Sequence, residues 1–163
     1  MGMAAEGRIV SLNVSDGGVP KWPIAEARVT FLGLEGDRQA NPEVHGGPER
    51  ALCLFSAEVI AALQAEGHPI APGTTGENVT VAGLDWGRMV PGSRWQLGEW
   101  VEIEITRPTT PCRTIRGSFR GGDFNRVHHA LRPGESRVYA RVLREGTVRV
   151  GDRVRELGPG VGG

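Results

Sequence analysis

Glycine and proline constrain this chain more than any other feature, because both residues interrupt regular helices. The sequence has 25 glycines and 11 prolines among 163 residues, about one residue in five against roughly one in eight in average proteins. They follow no Gly-X-Y period, so a collagen helix is excluded. The pattern predicts many short elements joined by tight turns rather than a helical bundle.

Short apolar runs between these interruptions predict β-strands. Residues 8–14 and 27–31 alternate between apolar and polar side chains, and residues 51–55 are continuously apolar, as in a strand buried on both faces. Further strands are predicted at 79–82, 94–97, 100–106, 138–143 and in two short runs around 148–154.

Turn and capping residues set the expected connections. Gly98-Glu99 predicts a two-residue hairpin turn between strands 94–97 and 100–106, and Gly151-Asp152 predicts a second hairpin. One helix is expected, with Ser56 as its N-cap and Gly67 just after its end. About eight or nine short strands with one clear helix predict a mainly β fold. We expect a closed or nearly closed barrel, because closure removes the sheet edges.

The length of the chain fits one domain, which we place at residues 1–157, followed by a flexible glycine-rich tail at 158–163. The 19 basic and 19 acidic residues cancel, so nucleic acid and an acidic membrane surface are not expected partners. No apolar run approaches the roughly 20 residues of a membrane span, and the N-terminus does not resemble a signal peptide. We therefore expect a cytoplasmic protein with reduced thiols.

The two cysteines stand in contrasting surroundings. Cys112 follows Pro111 in a polar loop, and Arg107, Arg113, Arg116 and Arg120 flank it with no acidic residue between positions 105 and 122. Positive neighbours favour the thiolate, the form that attacks electrophiles and binds metals. Cys112 is therefore the candidate functional thiol, although a loop cysteine among solvated arginines is also possible from these residues. Cys53 lies in the apolar run 51–55, where free cysteine behaves as a small hydrophobic residue.

Three further segments carry candidate ligand-binding residues. Asp37, His45 and Arg50 lie in a polar loop in which two glycines follow the histidine. Glu77 and Asn78 precede a strand, where they either clamp a loop or read the edge of a heterocycle. Lys21 follows Gly17-Gly18-Val19-Pro20 and is either a surface charge or a phosphate partner. No HxxxH, HxH or CxxC spacing supports a zinc site.

The ordered set of these segments resembles the MOSC domain, named for the C-terminal part of molybdenum cofactor sulfurases. The matching stretches are Gly17–Lys21, GLEGDRQANPEVHGGPERAL at 33–52, GTTGENVTVAGL at 73–84, TRPTTPC at 106–112 and YARVLREGTVRVGDRV at 139–154. The resemblance spans nearly the whole chain and implies a stand-alone MOSC protein. Thr75 departs from the pattern, because the family often has an apolar residue there.

The resemblance implies a β-barrel-like fold and a functional thiol at Cys112. That thiol is expected either to carry sulfane sulfur as a persulfide or to ligate the molybdenum of a pterin cofactor (molybdopterin), as in relatives that reduce N-hydroxylated compounds. Six residues match positions of the ligand cleft, and Arg113 adds a cation beside Cys112. The six are Lys21, Asp37, His45, Arg50, Glu77 and Asn78.

Two classes of function follow. The first is a molybdenum-cofactor-linked protein, either a sulfur transferase or a component of a molybdenum-dependent oxidoreductase. Its partner would be a cysteine desulfurase, which alone would carry pyridoxal phosphate, or an external reductase. The alternative is a non-catalytic β-barrel module that binds a cofactor or a protein and in which Cys112 is only a loop thiol.

Overall fold

The structure, a computed structural model, describes residues 6–38 and 47–158. Within those ranges the chain forms eleven strands and one α-helix, α1 (Ala57–Ala65). The strands are β1 (Glu6–Val14), β2 (Trp22–Ile24), β3 (Glu26–Thr30), β4 (Gly33–Leu34), β5 (Leu52–Ser56), β6 (Val79–Ala82), β7 (Arg94–Leu97), β8 (Val101–Pro108), β9 (Val138–Arg144), β10 (Gly146–Arg149) and β11 (Arg153–Leu157). Short 3-10 helices span Pro48–Arg50, Trp86–Arg88, Arg113–Ser118, Arg120–Gly122 and Phe124–Val127.

Seven of the strands close a barrel. They pair in the order β1, β11, β7, β8, β9, β5 and β6, and β6 returns to β1. β5 and β6 run parallel, whereas the other neighbours in the barrel are antiparallel. β2 adds an extra strand beside β1, and β10, β3 and β4 form a separate three-stranded sheet. The predicted mainly β barrel with one clear helix is therefore confirmed.

The strand number exceeds the eight or nine expected. The additional strands include β2 and β4, which have three and two residues. Strands of this length are too short to show an alternating pattern in the sequence.

Two predicted hairpins differ from the observed connections. Leu97 pairs with Val101, so the turn between β7 and β8 contains three residues rather than two. β10 and β11 do not form a hairpin, because β10 pairs with β3 while β11 pairs with β1 and β7. The backbone of Ile9 in β1 bonds to both Gly151 and Asp152 at the expected turn. β1 thus takes the place beside β11 that the sequence assigned to β10.

The predicted helix and its caps are confirmed. The Ser56 hydroxyl accepts a hydrogen bond from the Val59 amide at 3.1 Å. Gly67 follows the C-cap with a φ of 95°, a left-handed conformation that glycine adopts without steric cost. Within the residues that the structure describes, no helix has the length and apolar character needed to cross a membrane. Gly158 is exposed, and the rest of the predicted tail, 159–163, lies outside the described residues.

Buried apolar side chains form two clusters, one between the barrel strands and one beneath α1. In the second cluster Ile60 and Leu63 of α1 pack with Phe55, Ile115 and Phe119. Ile115 follows Cys112 by three residues and is 3% exposed. Its burial anchors the otherwise polar loop that carries the candidate thiol.

Candidate functional site

A pocket of about 130 Å³ brings together loops that are far apart in the sequence. Its wall is formed by residues around positions 18–21, 75–78 and 109–115, together with side chains from β5 and the start of β9. Four of the predicted site residues line it, namely Lys21, Arg50, Asn78 and Cys112. The remaining lining residues are Gly18, Val19, Cys53, Thr75, Gly76, Thr109, Thr110, Thr114, Ile115, Arg137 and Tyr139.

Cys112 stands at the N-terminus of the 3-10 helix Arg113–Ser118. Its backbone is extended, and its carbonyl accepts the first bond of this turn from the Ile115 amide at 3.1 Å. The half-buried thiol lies 2.8 Å from the Thr114 hydroxyl. When the sulfur is ionised, the hydroxyl is the donor of this pair, because a thiolate has no proton to give. The structure thus presents a hydrogen-bonded thiol to the pocket.

Lys21, Asp37 and Asn78 form one buried polar cluster. The Lys21 ammonium lies 2.6 Å from one Asp37 oxygen, and the Asn78 amide donates to the other at 2.8 Å. The Asn78 side-chain oxygen also accepts a bond from the Cys53 amide at 3.0 Å. This cluster connects the loop before β2 to the loop after β4 and to the start of β5.

Gly73 allows the loop formed by residues 73–78 to approach Lys21. The Lys21 amide donates to the Gly73 carbonyl at 2.9 Å, and Gly73 has a φ of +86°. A Cβ at this position would lie 2.6 Å from the Lys21 carbonyl oxygen, closer than van der Waals contact permits. Only glycine fits this contact without a shift of the backbone.

Glu77 is fully buried behind the pocket wall. The hydroxyls of Thr75 and Thr80 donate to its two oxygens at 2.9 and 3.2 Å. Burial raises the pKa of the Glu77 carboxyl, since a charged group loses its hydration. Of the two interpretations of Glu77 and Asn78 from the sequence, these contacts correspond to the loop clamp. They also explain why a polar residue is accommodated at position 75, where the MOSC domain often has an apolar one, because the Thr75 hydroxyl donates to Glu77.

Two predicted residues, Arg113 and His45, are not among those that the structure places in the pocket or in the buried polar cluster. Arg113 is exposed and is not part of the pocket lining, and His45 lies outside the described residues. The remaining arginines near Cys112 in the sequence are also exposed and outside that lining; they are Arg107, Arg116 and Arg120. The arginines that line the pocket are Arg50 and Arg137. The arginines close to Cys112 in the sequence are therefore not the arginines that share the pocket with it.

Cys53 lines the same pocket as Cys112, which the apolar run around it did not indicate. It is 7% exposed in β5, and its sulfur lies 3.9 Å from the Thr109 hydroxyl. Burial raises the pKa of the Cys53 thiol, while the positive charge of Arg137 acts in the opposite direction. Cys53 is thus a buried thiol on the wall of the pocket.

Arg137 and Tyr139 are two pocket residues that sequence reasoning missed. Arg137 precedes β9 and is 6% exposed, and Tyr139 faces Arg50, whose guanidinium lies 5.6 Å from the ring centre. Burial, assisted by the Cys53 sulfur nearby, raises the pKa of Tyr139 to about 12. Arg137 lies outside the stretches that resemble the family, and Tyr139 begins the stretch 139–154, in which no feature distinguished it as a pocket residue.

The described part of the chain contains no group of three or more His, Cys, Asp or Glu side chains that could hold a metal ion. The pocket instead combines two thiols, the half-buried Cys112 and the buried Cys53, with the cationic side chains of Lys21, Arg50 and Arg137. These side chains suit an anionic ligand that also forms one bond to a cysteine sulfur.

Comparison with known proteins identifies the class of this domain. A family model for the MOSC domain matches residues 41–155, and the chain belongs to that family. It is 32% identical over 145 residues to the uncharacterized protein YflK of Bacillus subtilis, covering 88% of this chain and 64% of YflK. It is 27% identical over 129 residues to a protein of Gibberella moniliformis named reductase, covering 77% of this chain and 22% of that protein. The chain thus spans less than two thirds of either relative.

A solved structure supports the same assignment. The crystal structure of YiiM from Geobacillus stearothermophilus matches with a TM-score of 0.73 and 25% identity, covering 96% of this chain and 77% of YiiM.

Proposed function

We propose that this MOSC domain acts in molybdenum-cofactor chemistry and that Cys112 is its reacting group. The observation that carries the proposal is the place of Cys112, a half-buried thiol on a pocket that also contains Lys21 and Arg50. The family is associated with molybdenum-cofactor-related proteins, and one relative bears the name reductase. Two roles of the thiol fit this wall.

In the first role Cys112 carries sulfane sulfur. The Cys112 thiolate attacks the outer sulfur of a cysteine persulfide on a donor protein, and a new S–S bond forms. The donor's S–S bond breaks, and its thiolate leaves with the electron pair. The Thr114 hydroxyl, 2.8 Å from the Cys112 sulfur, donates to the attacking anion. The donor in this role is a separate cysteine desulfurase, which carries its own pyridoxal phosphate.

In the second role Cys112 ligates molybdenum. The donor set fits a molybdenum–pterin cofactor, because a thiolate suits a metal already bound to dithiolene sulfur. Lys21 and Arg50 would hold the anionic part of that cofactor. When bound, the cofactor supplies two-electron redox chemistry, with electrons from an external reductase. Glu77 and Asn78 act in either role by keeping the surrounding loops in place through the bonds described above.

The experiment that tests the proposal is an analysis of the protein purified anaerobically under mild conditions. Sulfane sulfur on Cys112 predicts a mass increase of about 32 Da that is lost on reduction. The molybdenum role predicts a pterin and molybdenum in equal amounts. Each should be absent from Cys112→Ser and present in the matched control, Cys53→Ser.

The binding-module alternative predicts a different result. If Cys112 is only a loop thiol, Cys112→Ser should retain the same ligand as the unchanged protein. In the unchanged protein the Cys112 sulfur should then react no faster than that of Cys53. That outcome would assign the pocket to binding without turnover and would contradict the proposed function.

A further inference from the structure

Arg137 is a buried cation that has no ion pair within residues 6–38 and 47–158. It is 6% exposed, and its Nη1 donates to the Thr75 carbonyl at 2.7 Å. Its Nε atom is buried and has no hydrogen-bond partner within the described residues. A buried charge that lacks a counter-ion is costly, and each unmade bond of its donors adds to that cost.

Other buried cations of the described chain are neutralised by carboxylates. Lys21 pairs with Asp37 at 2.6 Å. Arg126 pairs with Glu66 at 2.6 Å and with Glu135 at 3.2 Å. Arg137 forms no ion pair among the described residues. Among the described residues Arg137 therefore lacks the carboxylate partner that Lys21 and Arg126 have, which makes it a candidate for neutralisation by a ligand.

The surroundings of Arg137 leave the pocket as the place for that ligand. The nearby carboxyl of Glu77 forms no ion pair with Arg137 in the described structure, and its two oxygens accept hydrogen bonds from the hydroxyls of Thr75 and Thr80. Arg137 lines the same pocket as Cys112. Because Arg137 lines this pocket and has no ion pair among the described residues, its guanidinium suits an oxyanion bound there, since a planar guanidinium forms parallel hydrogen bonds to oxyanions.

We propose that Arg137 is an anion-binding residue that holds an oxyanion in the pocket beside Cys112. The inference names the ligand class of the site and rests on the proposed function only in taking Cys112 as the reacting thiol. Two sources share this chemistry, namely a phosphate group of a larger ligand and a small free sulfur oxyanion such as thiosulfate.

The test compares an anionic with a neutral alkylating reagent at Cys112. Iodoacetate and iodoacetamide form the same bond to sulfur, but only iodoacetate carries a carboxylate that Arg137 can attract. The rate ratio of the two reagents, normalised to N-acetylcysteine, therefore isolates anion recruitment from general thiol reactivity. We expect Arg137→Gln to lower this normalised ratio about fivefold, with less than about a twofold change for iodoacetamide alone.

Two other variants test whether the change in rate ratio depends on the guanidinium of Arg137. Arg116→Gln is the matched control, because Arg116 is exposed and lies outside the pocket lining. It should leave the ratio unchanged. Arg137→Lys should keep part of the preference for iodoacetate, since lysine retains the charge without the planar donors.

Competition assigns the source of the oxyanion. Inorganic phosphate and thiosulfate are added at equal ionic strength, and protection of Cys112 from iodoacetamide is measured. Stronger protection by phosphate supports a phosphate-bearing ligand, and stronger protection by thiosulfate supports a free sulfur oxyanion. Both effects should be lost in Arg137→Gln.

The outcomes separate this inference from the proposed function. Rapid iodoacetamide labelling of Cys112, with a ratio that Arg137→Gln leaves unchanged, overturns the inference alone. Iodoacetamide labelling of Cys112 no faster than that of Cys53 overturns the proposed function. If Arg137→Gln fails to fold, unchanged protein with a normalised ratio near one and no protection by either anion overturns the inference by itself.

Discussion

The ammonium of Lys21 lies 2.6 Å from the carboxylate of Asp37, and both side chains are 7% exposed. The two residues come from loops that precede β2 and follow β4, so this pair joins a residue of the pocket wall to a loop that is distant in the sequence. Asn78 donates to the second Asp37 oxygen at 2.8 Å. Lys21 is therefore both a pocket residue and half of a buried ion pair.

The ion pair predicts a large effect on stability. Lys21→Met should lower the free energy of unfolding by about 3–5 kcal/mol, because it leaves the Asp37 carboxylate buried without its partner. Adding Asp37→Asn to this variant should recover part of the loss. Urea unfolding of the unchanged protein, Lys21→Met, Asp37→Asn and the double variant measures the coupling. A loss in Lys21→Met as small as that of a surface substitution, under about 0.5 kcal/mol, would contradict the pair.

Tyr139 is the single tyrosine of the chain, so its ionisation can be followed directly. Ultraviolet titration of the phenol should show a midpoint at about pH 12 instead of the ordinary 10, because burial disfavours the phenolate. The raised pKa contributes stability that is fully present below pH 10 and is lost as the pH rises through about 12. Tyr139→Phe is the control and should show no transition. A midpoint near 10 in protein that circular dichroism shows to be folded would exclude this environment.

Glu77 should make stability depend on pH. Its folded pKa is raised above the ordinary 4.5 by burial, so the unfolded chain releases this proton at lower pH than the folded chain does. The Glu77 contribution is therefore fully present below pH 4.5 and declines as the pH rises through the folded pKa. Measured against Glu77→Gln, the free energy of unfolding of the unchanged protein should fall across this range. A difference that stays constant with pH would show that the carboxyl is not perturbed.

Substitution by serine should lower the free energy of unfolding more at Cys53 than at Cys112. Cys112→Ser should change the free energy of unfolding by less than about 0.5 kcal/mol, since the side chain is half-buried in a loop. Cys53→Ser should cost about 1 kcal/mol, at the lower end for a buried hydroxyl, because Thr109 offers a nearby partner. Equal costs in denaturant unfolding would contradict this assignment of environments.

The fold could be predicted from local patterns, and the failures have physical causes. The alternation in β8, the continuous apolar run of β5 and the caps of α1 are local signals, and the structure confirms them. The partners of β10 and β11 are not local. Whether these strands pair with each other depends on where β1 lies in space, and no residue near the Gly151 turn encodes that position.

The sequence predicted those pocket residues that belong to a recognisable motif. Lys21, Asn78 and Cys112 belong to glycine- or proline-rich loops, and the structure places all three on one pocket. Cys53, in β5, and Arg137, just before β9, were not predicted because a strand and the residue next to it can present side chains to a pocket irrespective of local composition. The arginines adjacent to Cys112 in the sequence are exposed, because the 3-10 helix after Cys112 turns Ile115 towards the core instead.

The central claim is that Cys112 is the reacting group of a pocket in molybdenum-cofactor chemistry. The most direct measurement is the content of sulfane sulfur and of molybdenum per chain in the unchanged protein, Cys112→Ser and Cys53→Ser, all purified anaerobically. We predict that one of the two species is present in the unchanged protein and in Cys53→Ser and is absent from Cys112→Ser. Full retention of that species by folded Cys112→Ser would contradict the account.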